Sequence, residues 1–598
     1  MTQYHAPLAD IRFALNDVLG AASLFQRLPN FESATPDIVD AVLEEAAKFA
    51  EQVLAPINAS ADLEGCVLDK ATASVRTPKG FKQAYDQFVE GGWPALTIPA
   101  RFGGQELPET IGAIFKEMVD AANLAWSNFP MLSHGASEAL KVHGEPWQQE
   151  AFLKPIIEGR WTGTMCLTEP QCGTDLGLLK TRAEPNADGS FRISGTKIFI
   201  TAGEHDLTEN IVHLVLARLP DAPAGVKGIS LFIVPKFKVG KDGRMGERNS
   251  LAVGSIEHKM GIHASVTCVM NFDGAEGWLI GAANKGLNAM FTMMNTARMA
   301  VGVQGLGLIE RAYQHSLRYA RERLQMRSLS GAKFPDKPAD PLIVHADVRR
   351  MLLAQKSYAE GGLALVLYCA RLVDEKATGS AAESASAALL LEILTPVAKS
   401  WPSEWCVEAN SLAIQVLGGY GYTRDYPVEQ YWRDNRLNMI HEGTHGIHGQ
   451  DLLGRKMRME DGAAFAALRE RVQRTIERAS ANEALSARGA ELAATLGQVR
   501  NAADAAWATG VAEEALANAT PYLQAFGHMV IAWLWLDISV MAQAALTAQS
   551  GDADLLRGKL QSMHYFFDYE LPKSGAWLQA VASRKRTCAD MQEDWFAT

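Results

Sequence analysis

Cysteine is scarce in this chain. Its 598 residues include seven cysteines, an odd number, and no two of them form a Cys-x-x-Cys pair. A fold held by disulfides normally shows a dense and even set of cysteines at short spacing. We therefore expect a protein of a reducing compartment, the cytoplasm, in which no disulfide framework supplies the stability.

A basic excess is missing as well. Lys and Arg together number 57, against 68 for Asp and Glu, and the formal net charge is -11. Surfaces that bind nucleic acid usually carry an excess of positive charge, so we expect no nucleic acid as a partner. A local basic groove for a phosphate-bearing ligand stays compatible with this balance.

Signals for secretion and for a membrane are also lacking. The first 13 residues have neither the basic start nor the apolar core of a signal peptide. The strongest apolar run, Met529 to Leu546, contains Asp537 and Gln543, whereas a membrane-spanning helix needs about 20 largely uncharged residues. We predict a buried helix there and no integral membrane segment.

The hydrophobic pattern changes twice along the chain, near residue 161 and near residue 286. Residues 1–160 have apolar residues at helical spacing, as in Asp37 to Leu54, a stretch that Pro36 begins and Pro56 ends. Residues 63–80 lose this period and are predicted to form a loop. Short strands separated by Gly, Pro and Asp follow within residues 161–285, at 161–167, 191–193, 197–201, 211–219 and 228–234.

Helical patterns return after the strands. They cover residues 286–459, where Gly302, Gly305 and Gly307 predict close helix packing, and continue through the Ala-, Glu- and Arg-rich residues 460–598. The predicted fold class is α+β. It comprises an N-terminal helical domain, a central antiparallel β-sheet or barrel domain, a helical bundle domain and an extra C-terminal helical domain.

One short segment matches a zinc-peptidase signature. His441-Glu-Gly-Thr-His445 satisfies H-E-x-x-H, a pattern in which both histidines bind the metal from one face of a regular helix. Gly443 in the middle of the segment costs about 1 kcal/mol in a helix interior, and Gly446 follows it. We therefore assign no residue to a metal and keep a zinc peptidase as a weaker alternative.

The motifs around this segment indicate a different chemistry. They are Gln415-Val-Leu-Gly-Gly-Tyr-Gly-Tyr422, Tyr426-Pro-Val-Glu-Gln-Tyr-Trp-Arg-Asp434 and Ile440-His-Glu-Gly-Thr444, in this order. Together they resemble the acyl-CoA dehydrogenase family, in which a glutamate followed by Gly-Thr is the catalytic base and comes after a Gly-Gly turn that contacts a flavin. The resemblance implies that Glu442 is the base. We interpret Arg433 and Asp434 as a structural ion pair.

Segments far upstream extend the resemblance. The stretch Cys166-Leu-Thr-Glu-Pro-Gln-Cys-Gly-Thr-Asp175 is similar to the family's Thr-Glu-Pro-Gly-x-Gly-Ser-Asp loop beside the flavin ring, and Ile198-Phe-Ile-Thr201 is similar to its Trp-Ile-Thr strand. Arg298 matches an arginine near the thioester, and Arg323 matches one that contacts the flavin pyrophosphate of the neighbouring subunit. The chain departs from the pattern at Gln171, Cys172, Phe199 and Met326.

The resemblance implies FAD as the cofactor and a set of site residues. The implied cofactor contacts are Cys166, Leu167, Thr168, Gly173, Thr174, Phe199, Thr201, Arg323, Gln415, Gly418, Gly419 and Thr444. The implied substrate contacts are Thr174, Arg298 and Gly443.

The chemistry explains why these residue types are needed. Desaturation of an acyl thioester removes a proton from the α-carbon and a hydride from the β-carbon, giving a trans-2-enoyl-CoA. A carboxylate suits the first task where water is excluded, because desolvation raises its pKa toward that of the carbon acid. We expect Glu442 to take the α-proton and the flavin N5 to accept the β-hydride.

The chain continues for about 140 residues beyond the region that matches typical members. In this extra length it resembles a larger bacterial subgroup of the family. That subgroup includes dehydrogenases of 3-methylthiopropionyl-CoA and of medium- or long-chain fatty acyl-CoA. We expect a medium- or long-chain acyl-CoA substrate, with 3-methylthiopropionyl-CoA as the alternative. A homodimer and an electron-transferring flavoprotein as electron acceptor are further expectations. An acyl-CoA oxidase and a nucleic-acid-binding flavoprotein stay open as alternatives.

Overall fold

Helices precede and follow a central run of strands, so the predicted α+β fold class is confirmed. The computed structural model describes residues 4–597. These residues divide into two compact units. Unit 1 contains residues 44–107 and 118–300, and unit 2 contains the other described residues. The boundaries of the four domains predicted from the sequence stay a prediction.

The helices lie mainly in unit 2. In chain order they are α1 Leu8–Arg12, α2 Ala21–Arg27, α3 Pro36–Lys48, α4 Ala55–Glu64, α5 Phe81–Glu90, α6 Glu109–His143, α7 Pro146–Gln148, α8 Lys154–Ile157, α9 Gly286–Glu322, α10 Ala346–Thr378, α11 Ala381–Leu417, α12 Val428–Asn435, α13 His445–Gln450, α14 Ala463–Ser480, α15 Ser486–Ala506, α16 Ala512–Leu516, α17 Ala519–Thr547, α18 Ala553–Tyr565 and α19 Lys573–Ala582.

The strands lie in unit 1. They are β1 Val67–Asp69, β2 Ser74–Arg76, β3 Trp161–Cys166, β4 Arg182–Pro185, β5 Phe191–Thr201, β6 Asn210–Arg218, β7 Ile229–Pro235, β8 Phe237–Val239, β9 Met245–Arg248, β10 Leu251–Ile256 and β11 Thr267–Ile280. Pairings β11–β5, β5–β4, β4–β6, β6–β7 and β7–β11 form a closed circuit, while β10 joins β11 and β3 joins β6. This circuit agrees with the barrel alternative of the predicted fold.

One part of the sheet differs from the antiparallel prediction. Strand β3 runs parallel to β6, with Trp161 opposite Asn210 and Cys166 opposite Val215, and β4 pairs parallel to β6 at one position. Parallel neighbours need a long crossover connection. The chain between Cys166 and Asn210 provides one, because it includes a loop and the antiparallel pair β4–β5.

Several predicted element boundaries were wrong. The strands predicted at 191–193 and 197–201 are one strand, β5, and the loop predicted at 63–80 contains the hairpin β1–β2. Strands β4, β8, β9, β10 and β11 were missed. The helical path continues past Pro56, because a π-helical turn at Phe49–Leu54 places this proline in the first turn of α4, where no helical N–H is required.

The predicted close helix packing is confirmed for two of the three glycines. A Cβ atom at Gly302 of α9 would lie 2.1 Å from the carbonyl oxygen of Ala398 in α11, and one at Gly305 would lie 3.1 Å from that of Pro402. Proline cannot donate to the carbonyl four residues earlier. Pro402 therefore leaves the Ala398 oxygen outside the regular helical hydrogen bonding, next to Gly302.

Two helical segments, Ala381–Tyr422 and Ala519–Thr547, are long and apolar enough to cross a membrane by length and composition alone. Core helices of globular proteins meet the same criterion. Within α17 the side chains of Met529, Phe526 and Trp535 are fully buried inside the protein. Residues 529–546 thus lie in a largely buried helix, as predicted.

Candidate active site

Glu442 lies in a turn with unusual backbone geometry. The turn connects a short 3-10 segment, Arg436–Met439, to α13. Glu442 has φ +55° and Gly443 has φ +97°, so both residues adopt the left-handed region. A side chain other than glycine in such a conformation costs on the order of 1–3 kcal/mol, and this cost is met only where surrounding contacts enforce it.

Two buried side chains hold this turn by its carbonyl groups. Lys399 of α11, which is 0% exposed, donates from Nζ to the carbonyl oxygen of Gly443 at 2.6 Å. His448 of α13 donates from Nε2 to the carbonyl oxygen of Glu442 at 3.0 Å. A Cβ atom at position 443 would lie 2.8 Å from His448 Nε2, so both the φ angle and the space require glycine there. The Oε2 atom of Glu442 is shielded from solvent.

The two histidines of the H-E-x-x-H pattern have separate environments. His441 precedes α13 and its Nε2 atom lies 2.9 Å from Asn438 Oδ1, while His445 is the first residue of α13 and its Nε2 atom lies 3.2 Å from Ser403 Oγ. Burial, reinforced by Lys399, lowers the pKa of His441 to about 3. Within residues 4–597 neither histidine belongs to a group spaced to hold a metal ion. The geometry is therefore not that of a zinc-peptidase helix.

The Gly-Gly turn of unit 2 is open at the surface. Gly418 ends α11 with φ +61°, and a Cβ atom at Gly418 or Gly419 would meet nothing within 4 Å. The guanidinium of Arg323 lies 5.7 Å from the ring centre of Tyr420, two residues further on. The cationic side chain of Arg323 thus lies beside the turn, whose backbone at Gly418 and Gly419 is accessible. Gln415 and Thr444 are also exposed.

The predicted flavin loop of unit 1 begins where β3 ends. The backbones of Glu169 and Cys172 exchange hydrogen bonds of 2.9 and 3.0 Å, which closes the loop into a tight turn. Gly173 and Thr174 lie exposed at its far side. Cys166 is fully buried, and burial raises the pKa of its thiol to about 12. Its thiol is therefore un-ionised near neutral pH, and its predicted contact with the flavin would be made by its backbone.

A buried ion pair fixes this loop to β5. Lys197 is 0% exposed and donates from Nζ to Glu169 Oε1 at 2.8 Å and to the Leu167 carbonyl at 2.9 Å. Glu169, 3% exposed, also accepts from Thr181 Oγ1 at 2.6 Å and from the Lys180 backbone N–H at 2.7 Å. Burial alone would raise the pKa of Glu169, but Lys197 and these donors lower it to about 2. The carboxylate of Glu169 is therefore ionised near neutral pH, while burial lowers the pKa of Lys197 below its usual value.

The same strand presents an aromatic side chain. The pairing of β5 with β11 shifts register between Lys197 and Ile200, so β5 carries one extra residue. Phe199 in this bulge has φ +58° and is 61% exposed. The Ile198 N–H donates to the Thr168 carbonyl at 2.9 Å. Bulges re-aim side chains next to functional sites, and this one lies directly after the residues, 197 and 198, that bond to residues 167 and 168.

Arg298 lies further along unit 1, on α9. Its guanidinium lies 5.9 Å from the ring centre of Phe291, and it donates from Nη1 to Asn295 Oδ1 at 3.4 Å. Met290 and Met293 on the same helix are fully buried. Met293 packs against Gly135 of α6, where a Cβ atom would come within 3.0 Å of the Met293 side chain. These two methionines are core residues.

The predicted site residues thus lie in both units, with the 442–443 turn and the Gly-Gly turn in unit 2 and the 166–174 loop, β5 and Arg298 in unit 1. In unit 2, accessible glycine backbone lies beside an exposed arginine, which suits a phosphate-bearing ligand. In unit 1, an exposed loop lies beside a bulged aromatic residue, which suits a planar ring. Sequence reasoning missed Lys197, Lys399 and His448. An isolated lysine within an apolar strand or helix was the available signal, because a fully buried lysine needs a partner.

Comparison with known proteins agrees with these features. Profiles of the acyl-CoA dehydrogenase N-terminal, middle and C-terminal domains match residues 37–160, 164–275 and 284–457, and a profile described as acetyl-CoA dehydrogenase C-terminal like matches residues 468–592. The 3-methylmercaptopropionyl-CoA dehydrogenase of Ruegeria pomeroyi is 42% identical over 96% of this chain and 97% of its own. The broad-specificity linear acyl-CoA dehydrogenase FadE5 of Mycobacterium tuberculosis is 34% identical over the full length of both.

Solved structures show the same fold. An acyl-CoA dehydrogenase of Bacillus anthracis complexed with FAD is 20% identical and superposes with a TM-score of 0.73 over 96% of this chain and 93% of its own. A chain from a structure titled for the electron transferring flavoprotein of Acidaminococcus fermentans is 26% identical, with a TM-score of 0.57 over 70% of this chain and 97% of its own. The chain belongs to the acyl-CoA dehydrogenase family of FAD-dependent oxidoreductases.

Proposed function

We propose that this enzyme converts an acyl-CoA thioester into the trans-2-enoyl-CoA, with Glu442 as the base that removes the α-proton. The observation that carries the proposal is the turn at 442–443. Its left-handed backbone is held by hydrogen bonds from Lys399 and His448 to two successive carbonyl oxygens. Strain of this kind clusters at functional sites, where it fixes a reactive side chain in one orientation.

The protein residues divide the work of the proton step. Glu442 takes the proton from the α-carbon, and Gly443 lets the backbone adopt the conformation that presents the carboxylate. Lys399 and His448 keep the turn from relaxing, since each engages a carbonyl group with a buried donor. FAD, when bound, supplies the acceptor for the β-hydride. Phe199 is suited to its ring, whereas Arg323 and the Gly418–Gly419 backbone are suited to the pyrophosphate of an FAD on a second subunit.

Two relatives bear on the acyl group. The protein at 42% identity is named for 3-methylmercaptopropionyl-CoA, and the one at 34% identity for linear acyl-CoA substrates in general. The higher identity supports the short thioether substrate first and linear fatty acyl-CoA second. This order reverses the expectation from the sequence motifs, which carried no information on the acyl chain.

A panel of acyl-CoA thioesters tests the proposal. The purified enzyme, mixed anaerobically with each thioester, is expected to lose its yellow flavin absorption, and to lose it fastest with 3-methylthiopropionyl-CoA. Fastest bleaching by a longer linear thioester would reject the substrate order, and no bleaching by any thioester would reject the reaction. Rapid peroxide formation in air would favour the acyl-CoA oxidase alternative.

We also propose a homodimer that passes electrons to an electron-transferring flavoprotein in the cytoplasm. The exposed cofactor-binding residues of unit 2, Arg323 and Gly418, support a site that a second subunit completes, and the seven free cysteines support a reducing compartment. Light scattering is expected to give twice the chain mass of 65.0 kDa. A mass four times that of the chain would contradict the dimer.

A further inference from the structure

A row of polar side chains connects the C-terminal helices to the helix that follows Glu442. We propose that Gln524 of α17 is a positioning residue for the catalytic turn and acts through Glu404 and His445. The proposal rests on the proposed role of Glu442. It gives the helices beyond residue 460 a part in catalysis.

The row begins with a short hydrogen bond between two helices distant in sequence. Gln524 donates from Nε2 to Glu404 Oε1 at 2.5 Å. Gln524 is half-buried, and the Glu404 side chain is 19% exposed. A hydrogen bond to a largely buried carboxyl group is directional, so it fixes the rotamer of Glu404 in a way that apolar packing would not.

The other oxygen of Glu404 faces the catalytic segment. Its Oε2 atom lies 3.5 Å from Nδ1 of His445, three residues after Glu442. The second ring nitrogen of His445 lies 3.2 Å from Ser403 Oγ. Burial, with Lys399 and Arg436, lowers the pKa of His445 to about 4, so the imidazole is neutral near pH 7. The hydrogen bond with Ser403 and the close contact with the Glu404 carboxyl group, one at each ring nitrogen, hold the ring against α11 at the start of α13.

Backbone contact brings the same two helices together. A Cβ atom at Gly449, near the end of α13, would lie 2.6 Å from the carbonyl oxygen of Ala519, the first residue of α17. Helix α13 therefore rests directly on the first turn of α17. The Gln524 side chain, five residues further along α17, reaches α11 beneath the start of α13.

These contacts complement those already described for the turn. Lys399 and His448 hold the carbonyl oxygens of residues 443 and 442, whereas Gln524 fixes Glu404, whose second oxygen contacts the side chain at position 445. A base that must meet a carbon-bound proton tolerates little displacement, and a shift of about 1 Å far from the chemistry can cost about 100-fold in rate. Loss of these polar contacts is therefore expected to slow proton removal by displacing the base.

Four variants of the full-length, FAD-loaded enzyme test the proposal: two remove a hydrogen-bonding group, one is conservative and one is a control. Q524L and E404L remove the hydrogen-bonding groups, and E404Q keeps an acceptor for Gln524 while offering a donor to His445. Q543L makes the same change as Q524L elsewhere on α17 and serves as the control. The readouts are anaerobic flavin reduction by acyl-CoA, the acyl-CoA dissociation constant and amide hydrogen exchange of residues 440–450.

Q524L and E404L are expected to slow flavin reduction by roughly 10–100-fold, with less than a twofold change in acyl-CoA affinity. Amide exchange at 440–450 is expected to rise in both. E404Q is expected to restore most of the rate, and Q543L to behave like the parent enzyme. This split between rate and affinity, together with rescue by the conservative variant, is not the pattern of a general loss of stability.

Unchanged amide exchange at residues 440–450 in both Q524L and E404L would overturn the positioning role. An equal loss in the rate of flavin reduction in E404L and E404Q would overturn it as well. Faster exchange with an unchanged rate of flavin reduction would instead show that the turn is not the catalytic one, and would overturn the proposed function. Because hydrogen exchange needs no substrate, the two failures are distinguishable.

Discussion

Glu442→Gln is expected to retain bound FAD and to lose flavin reduction by acyl-CoA by roughly 10²–10⁴-fold, the usual contribution of a positioned general base. The amide has nearly the shape of the carboxyl group but accepts no proton. The turn is expected to persist, because Lys399 and His448 bind backbone carbonyl groups that the substitution leaves in place. Stopped-flow absorbance under anaerobic conditions measures the rate, and the visible spectrum measures the FAD content.

Glu408→Gln is the matched control for this variant. Glu408 is an exposed residue of α11, and its substitution is expected to leave both FAD content and the rate of flavin reduction unchanged. Normal reduction by the Glu442 variant would reject the assignment of the base. A variant that lost its FAD would show instead that the carboxylate holds the turn.

Lys197→Met is expected to give an enzyme that is less stable by about 3–5 kcal/mol and binds FAD weakly, because the substitution leaves the buried carboxylate of Glu169 without its cation. It also removes the donor to the Leu167 carbonyl, and with it the fixed position of the loop. Urea unfolding measures the stability, and titration of the apoprotein measures FAD affinity. Lys180→Met, an exposed lysine in the same loop, is the control and is expected to match the parent protein.

The difference between parent protein and Lys197→Met is expected to depend on pH. The pKa of Glu169 is about 2 in the folded protein and near 4.5 in the unfolded chain. The stabilisation from the charged carboxylate is therefore complete above about pH 4.5 and is lost as the pH falls toward 2. Without Lys197 the carboxyl group of Glu169 protonates at higher pH. The loss of unfolding free energy in the variant should therefore be largest near neutral pH and shrink below about pH 4. A deficit independent of pH would point to lost packing.

Local patterns predicted most of the helical architecture, since helical spacing of apolar residues is set within a few turns of chain. The errors fell where tertiary contacts outweigh local preference. The π-helical turn before Pro56 and the bulge at Phe199 are decided by neighbouring elements. The parallel pairing of β3 with β6 depends on a connection of more than 40 residues, and no local signal reveals it.

The amino-acid sequence by itself determined the family and the reaction class, because the motifs that carry the resemblance, at 166–175, 415–422 and 440–444, are short and contiguous. Only the tertiary structure decided which buried side chains fix these motifs in position. Lys197 and Glu169 lie 28 residues apart, and Gln524 and Glu404 lie 120 residues apart. The interaction within such a pair is strengthened by the low dielectric of its buried site and depends on directional hydrogen bonds, and both exist only once the chain has folded.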